Sequence, residues 1–300
     1  MEVQPAPEPS DVYWENLEVG PEQVRIRSLR TLVLAAVVIC FTAGMLTLFS
    51  LERSRRVEQL TASNDANGVI YATGITLGSA AIVTLLNLAL KMLVIYLTRF
   101  ERHDTRTDHE ESVFVKLSLA YVINQSLLVI FVSSFDTPEG RPQDSWFTPG
   151  GAFEQAFFIC LANMVVPEVA KVLRVDMLLK RFILAPLARS QTKVEELLMP
   201  PEATIGEFYA GLSKTVALGL IYGPAMPLAF LVCTVTMAIS YAANKVALLR
   251  VYKPPPVINE GLSEKFRWVL ATLVLASIVM QYALVGQYVS ITAVRGQYVS

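Results

Sequence analysis

TLVLAAVVICFTAGMLTLFSL, Thr31–Leu51, is an apolar run without a single charged residue. A helix rises about 1.5 Å per residue, so roughly 20 such residues cross the hydrocarbon core of a bilayer. This run supplies them and reads as a membrane span. Beyond it lies the polar loop ERSRRVEQLTASNDANG (52–68), then a second run, Val69–Leu97, interrupted only by Asn87 and Lys91. A charged loop, RFERHDTRTDHEES (99–112), leads to a third run, Val113–Phe135, with Asn124, Gln125 and Ser126 at its middle. A Pro/Gly-rich connection, DTPEGRPQDSWFTPGG (136–151), precedes the more polar fourth run, Ala152–Leu173. The fifth run, Phe208–Asn244, is nearly twice the length a span needs and holds Gly223-Pro224 and Pro227 near its centre. The sixth is Trp268–Val289.

The expected fold class is therefore all-α: a polytopic transmembrane bundle of about six spans, at 31–51, 69–97, 113–135, 152–173, 208–244 and 268–289. Residues 1–30 read as a juxtamembrane segment, 31–290 as the membrane region and 291–300 as a tail. Between the fourth and fifth runs, 174–207 mixes charge with Leu, Ile and Met at helical spacing. It reads as an amphipathic surface helix, cut by Pro186 and stopped at Pro200-Pro201. The first thirty residues are polar and acidic and do not read as a signal peptide. Lys and Arg are denser on the side that keeps the N-terminus cytoplasmic: Arg25, Arg27, Arg30, the 99–116 loop and 171–193.

Composition agrees with lipid as solvent. Hydrophobic residues make up 53% and charged residues 17%, against roughly 25% charge in soluble domains, and the mean hydropathy is +0.47. A net charge of −1 gives no electrostatic basis for nucleic-acid binding. Cys40, Cys160 and Cys233 each lie inside an apolar run, form no CxxC pair and read as small buried side chains. His103 and His109 share a loop rich in carboxylates, which reads as a solvated charged loop, their spacing matching no metal-ligand pattern. No phosphate-binding glycine loop, HExxH or GxSxG element is present, so no catalytic residue, cofactor or metal site is expected.

Polar groups at membrane depth are costly and usually face protein or a hydrated path. Asn87 and Lys91 lie one turn apart on one helical face. Asn124 and Gln125 sit mid-span on the third run, Gln155, Asn163 and Glu168 on the fourth, and Tyr222 on the fifth. Two readings stand. These groups hydrogen-bond between helices as packing contacts, or spans two to five line a conducting pathway. Lys91 can also snorkel to the interface, and Glu168 can pair with Lys171. Pro224 and Pro227 each remove a backbone N–H, so with Gly223 they predict a kink in the fifth span, either static or a gating hinge.

Several stretches together resemble the osmosensitive, calcium-permeable cation channels of the OSCA/CSC family, relatives of the anoctamins and the transmembrane channel-like proteins. They are DVYWENLEV (Asp11–Val19) with the following arginines, GGAFEQAFFICLANMVVPEVAKVL (Gly150–Leu173), and LGLIYGPAMPLAFLVCTVTMAISYAANKVALLRVY (Leu218–Tyr252). The segment LTRFERHDTRTDHEESVFVKLSLAYVINQ is similar to anoctamin-like sequences. The resemblance covers nearly the whole chain and implies its pore region, with a cytoplasmic N-terminus, in a plasma-membrane homodimer.

What the resemblance implies for function is a tension- or osmotically gated cation channel, with membrane lipids and permeant cations as its partners. Asn87, Lys91, Asn124, Gln125, Gln155, Asn163, Glu168 and Tyr222 would line the pore, and Gly223, Pro224 and Pro227 would form its hinge. The alternatives are a phospholipid scramblase with an open polar groove, or a non-conducting scaffold. Relatives bind calcium with several membrane carboxylates. Glu154 and Glu168 alone cannot build a cage of six or more oxygens.

Overall fold

The first apolar run lies inside a helix about twice its length. In the computed structural model, α1 spans Pro21–Thr61, 41 residues, with Pro at its first position, where a missing N–H costs nothing. The structure describes residues 8–61, 66–127, 157–158, 160–162, 166–169, 177–178, 180–188, 190–200, 202–224, 226–253 and 259–299. Gln155, Asn163, the 136–151 connection and the end of the third run fall outside them. The described residues are helical apart from short connections and one isolated bridge, Val12 to Thr105.

The stretch beginning ERSRRVEQL, expected as loop, instead continues α1 through Thr61. Its residues are mostly good helix formers, and Arg56 Nε pairs with Glu52 one turn back at 2.9 Å. Helix α2 spans Ala66–Arg99. The chain then turns through Arg102, whose φ of 52° lies in the left-handed region that often ends a helix. Helix α3, Arg106–Tyr121, opens on a cap: Thr105 Oγ1 accepts the Asp108 N–H at 3.1 Å and donates to Asp108 Oδ2 at 2.7 Å. It passes into a π-helical stretch, Val122–Leu127. Within the expected amphipathic linker, the longest described helix is α4, Gln191–Leu198, with Ser190 as its N-cap. Helices α5, Ile205–Tyr222, α6, Pro227–Arg250, and α7, Gly261–Val299, complete the described order.

One expectation is corrected here. The run 208–244 is not a single kinked span. Cys233 of α6 lies against Gly219 of α5, the Phe230 ring lies against Gly223, and Phe208 stacks edge-on with Tyr252 at 6.0 Å. Residues near both ends of the pair thus meet in reverse order, so α5 and α6 form an antiparallel hairpin. At 18 and 24 residues they are about 27 and 36 Å long, each near the thickness of a bilayer core. Pro227 starts α6 at its first turn, the position proline tolerates best.

α5 is the common spine. It packs against α3, α6 and α7, while α2 packs against α1 and α3. The interior joins Ile39 of α1, Leu90 and Val94 of α2, Val113, Phe114 and Leu117 of α3, Ala210 of α5 and Leu262 of α7. Outward faces are apolar as well: Val33, Val37, Phe41, Met45 and Leu48 form an exposed stripe on α1. By length and composition, Pro21–Phe49 and Pro227–Arg250 can each cross a membrane, and only 17% and 28% of their apolar windows are buried. The core helix of a soluble protein is mostly buried. These two present their apolar surface outward, as lipid contact requires.

One end of the bundle is charged and closed. Glu101, 0% exposed, accepts from Thr31 and Lys116, takes Ser112 Oγ at 2.8 Å and lies 2.6 Å from His103 Nε2. Burial alone would raise its pKa, but the bonds from His103, Lys116 and Thr31 outweigh that and hold it at about 2. Asp11 accepts the Thr107 N–H at 3.0 Å and its hydroxyl at 2.8 Å, docking the N-terminal segment on the start of α3. Glu110 and Glu111 then reach the first turns of two other helices. Glu110 accepts the Gly206 N–H of α5 at 2.6 Å, and Glu111 pairs with Lys265 of α7 beside Gly261. The solvated-loop reading of His103 and His109 is thereby overturned. These charges are folded inward because they satisfy one another. Burial pushes His109 down to about 4, with His103 adding to the shift.

Candidate functional site

The polar residues inside the bundle fall into separate groups rather than one ring. The first joins α2, α3 and α5. Asn87 is buried, and its amide makes no hydrogen bond among the described residues. One turn on, Lys91 Nζ reaches Glu207 Oε1 at 2.7 Å, with both side chains about one-fifth exposed. Lys214, two turns along α5 from Glu207, places its ammonium 5.1 Å from the Tyr121 ring centre, an arrangement favourable in low dielectric. Sequence reasoning singled out Asn87 and Lys91 but missed Glu207, Lys214 and Tyr121. The seven-residue spacing of Glu207 and Lys214 puts them on one helical face, the signal that could have found them.

The second group joins the fourth run to α6 and the far end of α5. Glu168 is buried, and its Oε1 accepts the Ser240 hydroxyl at 2.7 Å. Tyr222, 1% exposed, closes α5 near Cys160. The reversal follows at once. The Met226 N–H donates to the Tyr222 carbonyl at 2.8 Å, and Gly223 is packed so closely that a methyl group would strike the Phe230 ring and the Gly219 carbonyl. Gly223 is therefore required by space, while Pro224 is exposed. A third contact ties α1 to the π-helical stretch: Asn124 Nδ2 donates to Thr42 Oγ1 at 3.0 Å and leaves its Oδ1 without a partner among the described residues. Gln125 lies on the same stretch, its side chain beyond the described atoms. A buried amide with free hydrogen-bonding capacity costs on the order of 1–3 kcal/mol, unless water or a passing ligand completes it.

Apolar outer faces around an interior of Asn, Lys, Glu and Tyr define the class, an all-α membrane protein with a polar core. Residues 9–299 match the family model described as "Anoctamin: Calcium-activated chloride channel", and the chain belongs to the anoctamin family. Members of that family are membrane proteins that act as ion channels or lipid scramblases. No curated protein matches the chain.

Calcium is the ion this family description implies. Among the described residues no group of three or more His, Cys, Asp or Glu could hold a metal ion. Calcium needs six to eight oxygens, several of them from carboxylates. Glu168 contributes one carboxylate, already engaged by Ser240. The residues described do not fit a calcium centre, and no step of gating is assigned to one.

Proposed function

We propose that this chain is the conducting region of a cation channel opened by membrane tension. The observation that carries the reading is Glu168, a buried carboxylate bonded to Ser240 at the seam between the fourth run and α6. A carboxylate at that depth biases a hydrated path toward cations. Asn87 and Asn124, whose amides keep atoms without a partner among the described residues, together with Gln125, Gln155, Asn163 and Tyr222, replace part of an ion's hydration shell. Lys91 tempers the charge of Glu207 at the pathway's polar end. The Gly223–Pro227 reversal is the pivot about which α6 leans as tension enlarges the protein's in-plane area. The same reading places the N-terminus in the cytoplasm and the chain in a plasma-membrane homodimer.

A second reading is anion conduction, in line with the family's description. It is favoured by Lys214, whose ammonium is buried against Tyr121. The reversal potential under a salt gradient separates the two. Glu168→Lys is expected to move it toward the anion value by several-fold in relative permeability. Unchanged selectivity in that variant removes Glu168 from the pathway.

A further inference from the structure

Residues 11–16, ahead of α1, run antiparallel to 103–107, which link α2 to the first turn of α3. The two stretches are zipped along the backbone. The Tyr13 N–H donates to the Asp104 carbonyl at 2.9 Å and the Arg106 N–H to the Asp11 carbonyl at 2.8 Å, with Val12 and Thr105 bridged between them. Side chains add to the zip. The Asn16 amide donates to the His103 carbonyl at 2.8 Å, and the Arg106 guanidinium lies 5.2 Å from the Tyr13 ring centre. Trp14 and Leu17 stay 66% and 54% exposed. Docking therefore rests on polar contacts with little apolar burial, and such contacts have a small net free energy in water. A strap held this way can leave and return.

Asp11 carries the strap into the bundle. Thr105 is the N-cap of α3, so Thr107 is its second helical residue. The Thr107 N–H has no partner within the helix, and Asp11 accepts it at 3.0 Å. Asp11 Oδ2 also accepts the Thr107 hydroxyl at 2.8 Å and the Asn259 amide at 3.4 Å, while Thr107 Oγ1 accepts the Asn259 N–H at 3.2 Å. Asn259 stands two residues before α7. One turn along α3 from Thr107, Glu110 and Glu111 hold Gly206 of α5 and Lys265 of α7. Three helix starts thus each meet a carboxylate from another segment, which suits their partial positive charge. Of these carboxylates, Asp11 is the one that lies outside a helix.

We infer that residues 11–16 are a regulatory strap. Docked, it fixes the first turn of α3 and, through it, the starts of α5 and α7. Released, it frees all three. Spreading of the bundle under tension separates helix ends, so the docked strap favours the closed state. That last step rests on the conduction reading, whereas the coupling between strap and helix starts does not.

The test is hydrogen exchange of the full chain in phosphatidylcholine nanodiscs, read by mass spectrometry. Asp11→Ala is expected to speed exchange about tenfold in peptides holding Thr107, Gly206 and the first turn of α7, and to leave 113–121 unchanged. A rise confined to 8–16 and 103–108 overturns the coupling. A stapled chain keeps the test decisive if that variant does not fold. Val12 and Thr105 face each other as a non-hydrogen-bonded pair. The Cα atoms of such pairs lie about 4.5 Å apart, a spacing a disulfide spans. Val12→Cys with Thr105→Cys, in a Cys40→Ser chain, closes the staple on oxidation. Exchange at Gly206 is expected to be slower in the oxidised chain than after dithiothreitol, and equal rates overturn the proposal. In patches the oxidised staple should raise the threshold pressure and dithiothreitol should lower it. An unchanged threshold beside slowed exchange overturns the regulatory role. Silence in both states counts against conduction and leaves the exchange rates to decide the strap.

Discussion

Glu101 stands where three segments of the chain converge, bonded to Thr31 of α1, His103 of the connection, and Ser112 and Lys116 of α3. Removing one partner of a buried ion pair strands the other, typically at a cost of 3–5 kcal/mol. Glu101→Ala is expected to lose about that much, read as the shift in a denaturant titration of the detergent-solubilised chain. Adding Lys116→Met should restore most of it, because the stranded charge is then gone. A loss that the second substitution does not relieve would show that the pair is not the cause. Two neighbours give a pH signature. Burial, with Glu207 and Glu202 nearby, raises Glu110 from 4.5 to about 7 against the opposing Gly206 N–H bond. Its contribution is full below pH 4.5 and is lost as pH rises to 7. His109, lowered from 6.5 to about 4 by burial, acts in the opposite sense: its contribution is full above 6.5 and is lost as pH falls to 4. The two nearly cancel in the native chain. Glu110→Gln should therefore lose stability on acidification from pH 6.5 to 4, and His109→Gln should gain stability from pH 7 to 4.5. Thermal midpoints across this range check both signs.

The α5–α6 hairpin shows what a single apolar run hides. Hydropathy registers Phe208–Asn244 as continuous because neither helix is interrupted by charge at the turn. The break lies in Gly223, which has no room for a side chain, and in Pro227, which opens α6. The prolines were legible as a disruption. That the chain reverses rather than bends depends on Gly219 and Gly223 admitting α6 side chains, a pairing no local pattern encodes. Gly223→Ala is expected to destabilise by about 1–3 kcal/mol through overpacking and to shift the tension threshold. Pro224→Ala, at an exposed position, should spare stability and move only the threshold. Comparing unfolding midpoints with threshold pressures separates packing from pivoting; if Pro224→Ala leaves the threshold unchanged, the turn is only structural. The charged connection was misread for a related reason. Its residues look solvated one by one, and only their pairing with one another and with α1 and α3 makes burial favourable.

At the scale of the molecule, apolar run length and low charge were enough to read a helical membrane protein, and WENL with YGPAMP pointed to the superfamily that the family match identifies at the level of the anoctamins. The polar interior was only half legible. Asn87, Lys91, Asn124, Glu168 and Tyr222 stand out in their runs because lipid makes them conspicuous. Glu207 and Lys214 looked ordinary, because Glu207 sits at a helix start and Lys214 is a lone lysine. Their partners, Lys91 and Tyr121, come from distant parts of the chain.

The central claim is conduction opened by tension. The most direct test is to reconstitute the full chain in liposomes and record from excised patches under graded suction, with a sodium chloride gradient across the patch. The account predicts unitary currents whose open probability rises with suction and whose reversal potential lies on the cation side. Silent patches at every tension, from vesicles in which labelled phospholipid nevertheless crosses between leaflets, would contradict it and assign the polar interior to lipid headgroups instead.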